Sequence, residues 1–142
     1  MNKKLIIFDL DGTLINTLED LNASVNFALA KYSYPLRTLE QTRMDIGNGV
    51  AKLIERSIPQ GLANPNYQDC LSTFKSHYRE HYFDKSLPYS NMKETLLELK
   101  KRGFTLAVVS NKFDEGAKKL VTYYLPNLFD RIQGSLPELG IG

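Results

Sequence analysis

Leu5-Ile6-Ile7-Phe8-Asp9-Leu10-Asp11-Gly12-Thr13-Leu14 is the stretch on which the reading of this chain turns. Its four leading apolar residues, β-branched or aromatic apart from Leu5, are expected to form a short strand buried on both faces, as at the centre of a parallel sheet. Gly12 then marks a turn. Side chains two apart on a strand share a face, so Asp9 and Asp11 are expected to project together from the strand's carboxyl end, where open α/β sheets bind ligands. An ordinary turn accounts for Asp and Gly. It does not call for a buried strand, two carboxylates at spacing two, a glycine and a hydroxyl in that order.

Paired carboxylates suit phosphoryl transfer. Phosphate monoesters resist hydrolysis so strongly that enzymes supply accelerations up to about 10²¹. One carboxylate can attack phosphorus to give an aspartyl-phosphate that water later cleaves, and a second group can protonate the leaving alkoxide and then take a proton from that water. Asp9 suits the first task and Asp11 the second, with a bound Mg²⁺ keeping Asp9 ionised.

Asp9-Leu10-Asp11-Gly12-Thr13-Leu14 resembles the first signature of the haloacid dehalogenase superfamily in its phosphatase branch. The dehalogenases proper lack the second Asp, so Asp11 points to phosphoryl chemistry. The resemblance implies an α/β fold, a Rossmann-like parallel sheet core with an inserted α-helical cap, and Mg²⁺ bound at Asp9 and Asp11. It also implies phosphate contacts from Gly12 and Thr13.

The 142 residues suffice for a domain of ordinary size, and 42% hydrophobic with 24% charged residues is the balance of a soluble globular protein. The net charge of +2 and the scattered basic residues give no nucleic-acid footprint. Cys70, the single cysteine, excludes an internal disulfide and fits the reducing cytoplasm. Met1-Asn2-Lys3-Lys4 begins like a signal peptide, but Asp9 cuts the apolar run too early, and no segment is long enough to span a membrane.

From Thr17 the period becomes helical. Leu18, Leu21, Val25, Ala28 and Leu29 mark one face, with Thr17 and Asp20 as a capped start and an end near Tyr32. Thr38-Leu39-Glu40-Gln41 reads as a capping box, opening a helix that stops at Ile46-Gly47-Asn48-Gly49. Val50, Leu53 and Ile54 mark a third helix. Asn64-Pro65 is expected to start a fourth, with Tyr67, Leu71, Phe74 and Tyr78 along its apolar stripe. A crossover between parallel strands needs one helix, not four, so the expected organisation is a core over 1–16, a helical cap over 17–84 and a continued core over 85–142. Gly47, Asn48 and Gly49 are candidates to meet a substrate's non-phosphate end, and similar Gly-x-Gly loops occur in phosphoglycolate phosphatase-like members. Arg43 could pair with a substrate carboxylate, or be a solvated helix charge. His77 and His81 have no metal-like neighbours and read as packing or surface residues.

Asn91 caps the next expected helix, with Leu96, Leu97 and Leu99 inside it and Gly103 at its left-handed end. Thr105–Ser110 is expected to be the second strand. Its end, Ser110-Asn111-Lys112, resembles the family's second signature, which implies that Ser110 and Asn111 bind phosphoryl oxygens. Lys112 is either a surface lysine or a substrate contact. A helix from Asp114 and a strand over Phe129–Ser135 follow.

Two further features of the resembling family, a charge-neutralising Lys and a distal acidic pair, cannot be placed, and Glu138 lacks a strand to position it. Losing one such electrostatic partner typically costs about 10² to 10³ in rate. The expectation is therefore a fragment of a Mg²⁺-dependent phosphatase of small, phosphoglycolate-like metabolites, with weak Mg²⁺ binding and poor turnover. The unpaired edge of the first strand would invite self-association. The alternatives are a sugar phosphomutase of the same superfamily and a catalytically incomplete binding or interaction module.

Overall fold

The computed structural model describes residues 4–136; the tail containing Glu138 and the first three residues lie outside them. The chain divides into two compact units, Met1–Asn16 with Leu87–Gly142, and Thr17–Ser86.

The first unit is built on a parallel sheet. Strands β1 (Lys4–Phe8), β4 (Phe104–Phe113) and β5 (Arg131–Ser135) lie in the order β1-β4-β5. β1 pairs with β4 from Lys4↔Phe104 to Phe8↔Val108. Helices α5 (Met92–Lys101) and α6 (Asp114–Tyr124) make the crossovers. Both steps run the same way across the sheet, so right-handed connections put both helices on one face. There Leu106 and Val108 are fully buried, together with Leu96, Ala117, Leu120 and Val121. The other face is open among the described residues: Leu5 and Ile7 are each 59% exposed and Val109 51%. The expected burial of β1 on both faces is therefore wrong for this chain. Its apolar run alternates between one packed and one bare face, and β1 lies at the sheet's edge.

A small antiparallel ladder, β2 (Ile15–Asn16) with β3 (Leu87–Pro88), pairs Ile15↔Pro88 and Asn16↔Leu87. Nothing in the sequence predicts it, because two residues per strand are too few to show a period. Helix α5 starts without the expected side-chain cap: Asn91 is left-handed, at φ +64. Gly103 at φ +94 ends the helix as expected.

The second unit holds α1 (Leu18–Lys31), α2 (Leu39–Asp45), α3 (Val50–Ser57) and α4 (Tyr67–His81). Its core is Leu21, Val25, Ala28 and Leu29 from α1, Leu53 and Ile54 from α3, and Tyr67, Cys70, Phe74 and Tyr78 from α4. The capping box is present: Gln41 N donates to Thr38 Oγ1 at 3.1 Å and Thr38 N to Gln41 Oε1 at 2.9 Å. Two expected starts differ. Helix α4 begins at Tyr67 rather than at Pro65, because Asn64 Oδ1 accepts the Asn66 amide at 2.8 Å in a local turn. Thr17 precedes α1 without a side-chain capping bond.

Asp20 has another task. Its buried carboxylate accepts the Lys85 amide at 2.9 and 3.1 Å and the Ser86 hydroxyl at 2.8 Å, tying the unit's exit to its entry. Asp20→Ala removes the acceptor of the Lys85 amide and one of the two acceptors of the buried Ser86 hydroxyl, which still reaches Tyr82 O at 3.0 Å, and denaturant unfolding is expected to show a loss of about 1–2 kcal/mol.

His77 bridges α1 and α4. Its Nδ1 lies 2.8 Å from Ser24 Oγ, and its ring stacks between Phe27 and His81, with both centroid distances 4.2 Å. Burial, then the neighbouring His81, pushes the His77 imidazole below its usual range. The unfolded chain therefore takes up this proton first as pH falls, and folding stability drops with falling pH from the ordinary histidine range down to the depressed value. His77→Gln is expected to flatten that part of the stability–pH curve.

Candidate active site

The turn after β1 is organised by one carbonyl. Leu10 O accepts the amides of Thr13, Leu14 and Ile15 at 3.2, 3.0 and 3.2 Å, while Gly12 N donates to Ile15 O at 3.0 Å. Gly12 takes φ +79, which a side chain would resist. Fully buried Leu10 and Leu14 anchor the turn from below. β1 ends at Phe8, so Asp9 and Asp11 both stand on this turn, and the alternation of the strand does not orient them.

The two carboxylates nevertheless act on one another. Burial, and secondarily the charge of Asp11, pushes the Asp9 carboxyl above the usual carboxylate range, against the lowering effect of the Leu10 amide. That amide donates to Asp9 Oδ1 at 2.7 Å. Asp9 keeps exposed surface as a residue while its carboxyl is partly desolvated, and Asp11 is half-buried.

From β4 come Ser110, Asn111 and Lys112. Ser110 is buried and its Oγ accepts the Lys112 amide at 3.0 Å; Asn111 is exposed. Lys112 is no surface lysine. Its side chain is 1% exposed, and Nζ reaches Asp11 Oδ1 at 3.0 Å, against 20% exposure for the aspartate. The amides of Gly12 and Thr13 are committed to the turn, so a phosphate contact from this pair falls to the Thr13 hydroxyl. The structure thus joins Asp11 to Lys112, and Lys112 to Ser110, at the carboxyl ends of two adjacent parallel strands.

A residue that the sequence did not single out stands next to this group. Asp114, the first residue of α6, accepts the Gly134 amide at Oδ1 (2.8 Å) and the Lys118 ammonium at Oδ2 (2.8 Å), and these bonds hold its carboxyl below the usual range. Asp114 is four residues past Ser110; Lys118 comes from its own helix, whereas the Gly134 amide is supplied by the return of β5.

Arg43 and Gly47-Asn48-Gly49 belong to the helical unit. Arg43 pairs with Glu40 on the exposed face of α2. Asn48 Oδ1 accepts from Arg56 at 3.0 Å, between Gly47 at φ +111 and Gly49 at φ +89. The positive φ values explain why the chain leaves the helix there.

The donor set suits a hard divalent cation in kind, since Asp9 and Asp11 offer carboxylate oxygens. It does not suit Mg²⁺ in number. Among the described residues no group of three or more acidic, imidazole or thiol side chains could hold a metal ion, and one oxygen of Asp11 already meets Lys112.

No helix among the described residues is long and apolar enough to cross a membrane. The chain is 38% identical over 146 residues to a phosphoglycolate phosphatase of Haemophilus influenzae, covering 96% of this chain and 65% of that protein. It therefore spans just under two thirds of the length of the curated relatives it matches. A solved structure assigned as a phosphoglycolate phosphatase from Lactobacillus delbrueckii subsp. bulgaricus superposes with TM-score 0.86 at 27% identity, over 95% of this chain and 65% of that one. Another, from Haemophilus somnus, gives TM-score 0.82 at 36% identity, over 95% and 64%. The family model described as haloacid dehalogenase-like hydrolase matches residues 6–138. The chain belongs to that haloacid dehalogenase-like hydrolase family.

Proposed function

We propose that this chain carries the phosphoryl-transfer site of a phosphatase for small phosphorylated metabolites of the phosphoglycolate type, working through an aspartyl-phosphate on Asp9. The observation that carries the reading is the Lys112–Asp11 pair at 3.0 Å, which draws the end of β4 onto the turn that bears both carboxylates. The similarity to phosphoglycolate phosphatases supports it.

In this reading a carboxylate oxygen of Asp9 attacks phosphorus as the bond to the leaving alkoxide breaks, and Asp11 gives its proton to the departing oxygen. Asp11 then takes a proton from the water that attacks the acyl-phosphate, releasing inorganic phosphate and restoring the Asp9 carboxylate. The Ser110 hydroxyl, the Asn111 side-chain amide and the Thr13 hydroxyl are donors for the phosphoryl oxygens, and Lys112 keeps the Asp11 carboxyl in place. A hard divalent cation at Asp9 and Asp11 would add neutralisation of phosphoryl charge. With so few protein ligands, titration with Mg²⁺ is expected to show weak binding.

Phosphate release from a panel of small monoesters, with 2-phosphoglycolate among them, tests the reading. Release above the uncatalysed rate supports it. Isomerisation of a sugar phosphate without release would overturn it in favour of a phosphomutase.

A further inference from the structure

We propose that Asp114 is a positioning residue, which holds Lys112 on Asp11 by clamping the end of β5 against the segment that carries Lys112. The catalytic meaning of this clamp rests on the phosphatase reading above; the clamp itself does not.

Lys112 is held at three points. Its amide donates to Ser110 Oγ, its ammonium meets Asp11, and its carbonyl lies under Gly134. A Cβ on Gly134 would stand 2.5 Å from Asp114 Cα, 2.7 Å from Lys112 O and 2.9 Å from Asp114 N, so only glycine lets β5 approach this closely. The regular β4–β5 register ends at Val109↔Gln133 and resumes at Phe113↔Ser135, past an irregularity. Ser110, Asn111 and Lys112 fall inside that gap. The register shifts across these three residues, and the Asp114 Oδ1 bond to Gly134 N at 2.8 Å ties β5 to the end of β4 at that shift. Lys118 fixes the other carboxylate oxygen from the next turn of α6. A buried lysine on a flexible four-carbon stem reaches one carboxylate oxygen only if its Cα is held still, and Asp114 supplies that restraint.

The test reads the Lys112 ammonium by ¹⁵N NMR, since protons on a buried, bonded ammonium exchange slowly with water. In the 142-residue chain, Asp114→Ala is expected to speed Lys112 ammonium exchange at least tenfold. Asp114→Asn, which keeps an oxygen for the Gly134 amide and gives up the Lys118 pair, should exchange like the parent. Gly134→Ala, acting from the opposite side, should also speed exchange. An Asp114→Ala chain with unchanged far-UV circular dichroism and parental Lys112 exchange would overturn the proposal. If Asp114→Ala does not fold, Asp114→Glu takes its place: it keeps the charge and displaces the oxygens by a methylene, and parental exchange there overturns the proposal equally. Asp9→Asn should leave the ammonium signal unchanged, so failure of the phosphatase reading and failure of the clamp show in different experiments.

Discussion

Asp9→Asn is expected to abolish formation of an acyl-phosphate and to lower phosphate release by about 10⁴ or more, the scale on which removal of a nucleophile acts. The substitution is nearly isosteric, so the loss is chemical: a neutral amide oxygen cannot attack phosphorus to give a stable covalent intermediate. A factor of 10⁴ corresponds to about 5.5 kcal/mol of transition-state stabilisation. The sharper readout is a single-turnover quench with a labelled phosphomonoester. The parent should carry a hydroxylamine-labile label and the variant none, whatever the overall turnover. Folding should change little, because Asn Oδ1 can still accept the Leu10 amide and the residue keeps exposed surface. The pH dependence follows from the raised Asp9 carboxyl. For stability the sign is opposite to that of a salt-bridged aspartate. The folded chain holds this proton more tightly than the unfolded chain, so stability declines as pH rises from the ordinary aspartate value through the raised one, and Asp9→Asn removes that decline.

Asp11→Asn should behave differently, with a large cost to folding. It leaves the Lys112 ammonium, 1% exposed, facing a neutral amide. Breaking one side of a buried pair costs about 3–5 kcal/mol, and the partial exposure of Asp11 argues for the lower end, about 3 kcal/mol. In a chain of this size that lowers the melting temperature by roughly 10 °C. Lys112→Met should cost a similar amount by leaving the carboxylate behind. The double variant Asp11→Leu with Lys112→Met should recover much of the loss, since an apolar pair of similar volume carries no desolvated charge. Such recovery in melting temperature, without recovery of phosphate release, separates the pair's part in folding from its part in chemistry. Additive losses in the double variant would show that the two side chains do not act as a pair.

The elements that local chemistry dictates were legible in the sequence. The Thr38–Gln41 box, the apolar periods of α1 and α4, and Gly103 at the end of α5 each depend on neighbours within four residues or on a single backbone angle. Asn64-Pro65 misled because an Asn before a proline suits a turn as well as a cap, and the local Asn64–Asn66 bond won. Asp20 was read as part of a cap from its spacing to Thr17, yet its partners, Lys85 and Ser86, arrive some 65 residues later. Asp9 and Asp11 were singled out by their spacing on an expected strand, but β1 ends at Phe8 and both stand on the turn centred on the Leu10 carbonyl, so the pleat of β1 does not orient them.

By itself the sequence determined the identity of the acidic turn, the helical segments and the strands that flank them, because turn chemistry and apolar period act over a few residues. Only the tertiary structure decided that Lys112 is buried on Asp11, that Asp114 meets Gly134, and that β1 keeps one bare face. Those facts depend on which strands become neighbours and at what register. That is a matter of packing between residues distant in the chain, on which a lysine two positions before a helix start carries no local mark.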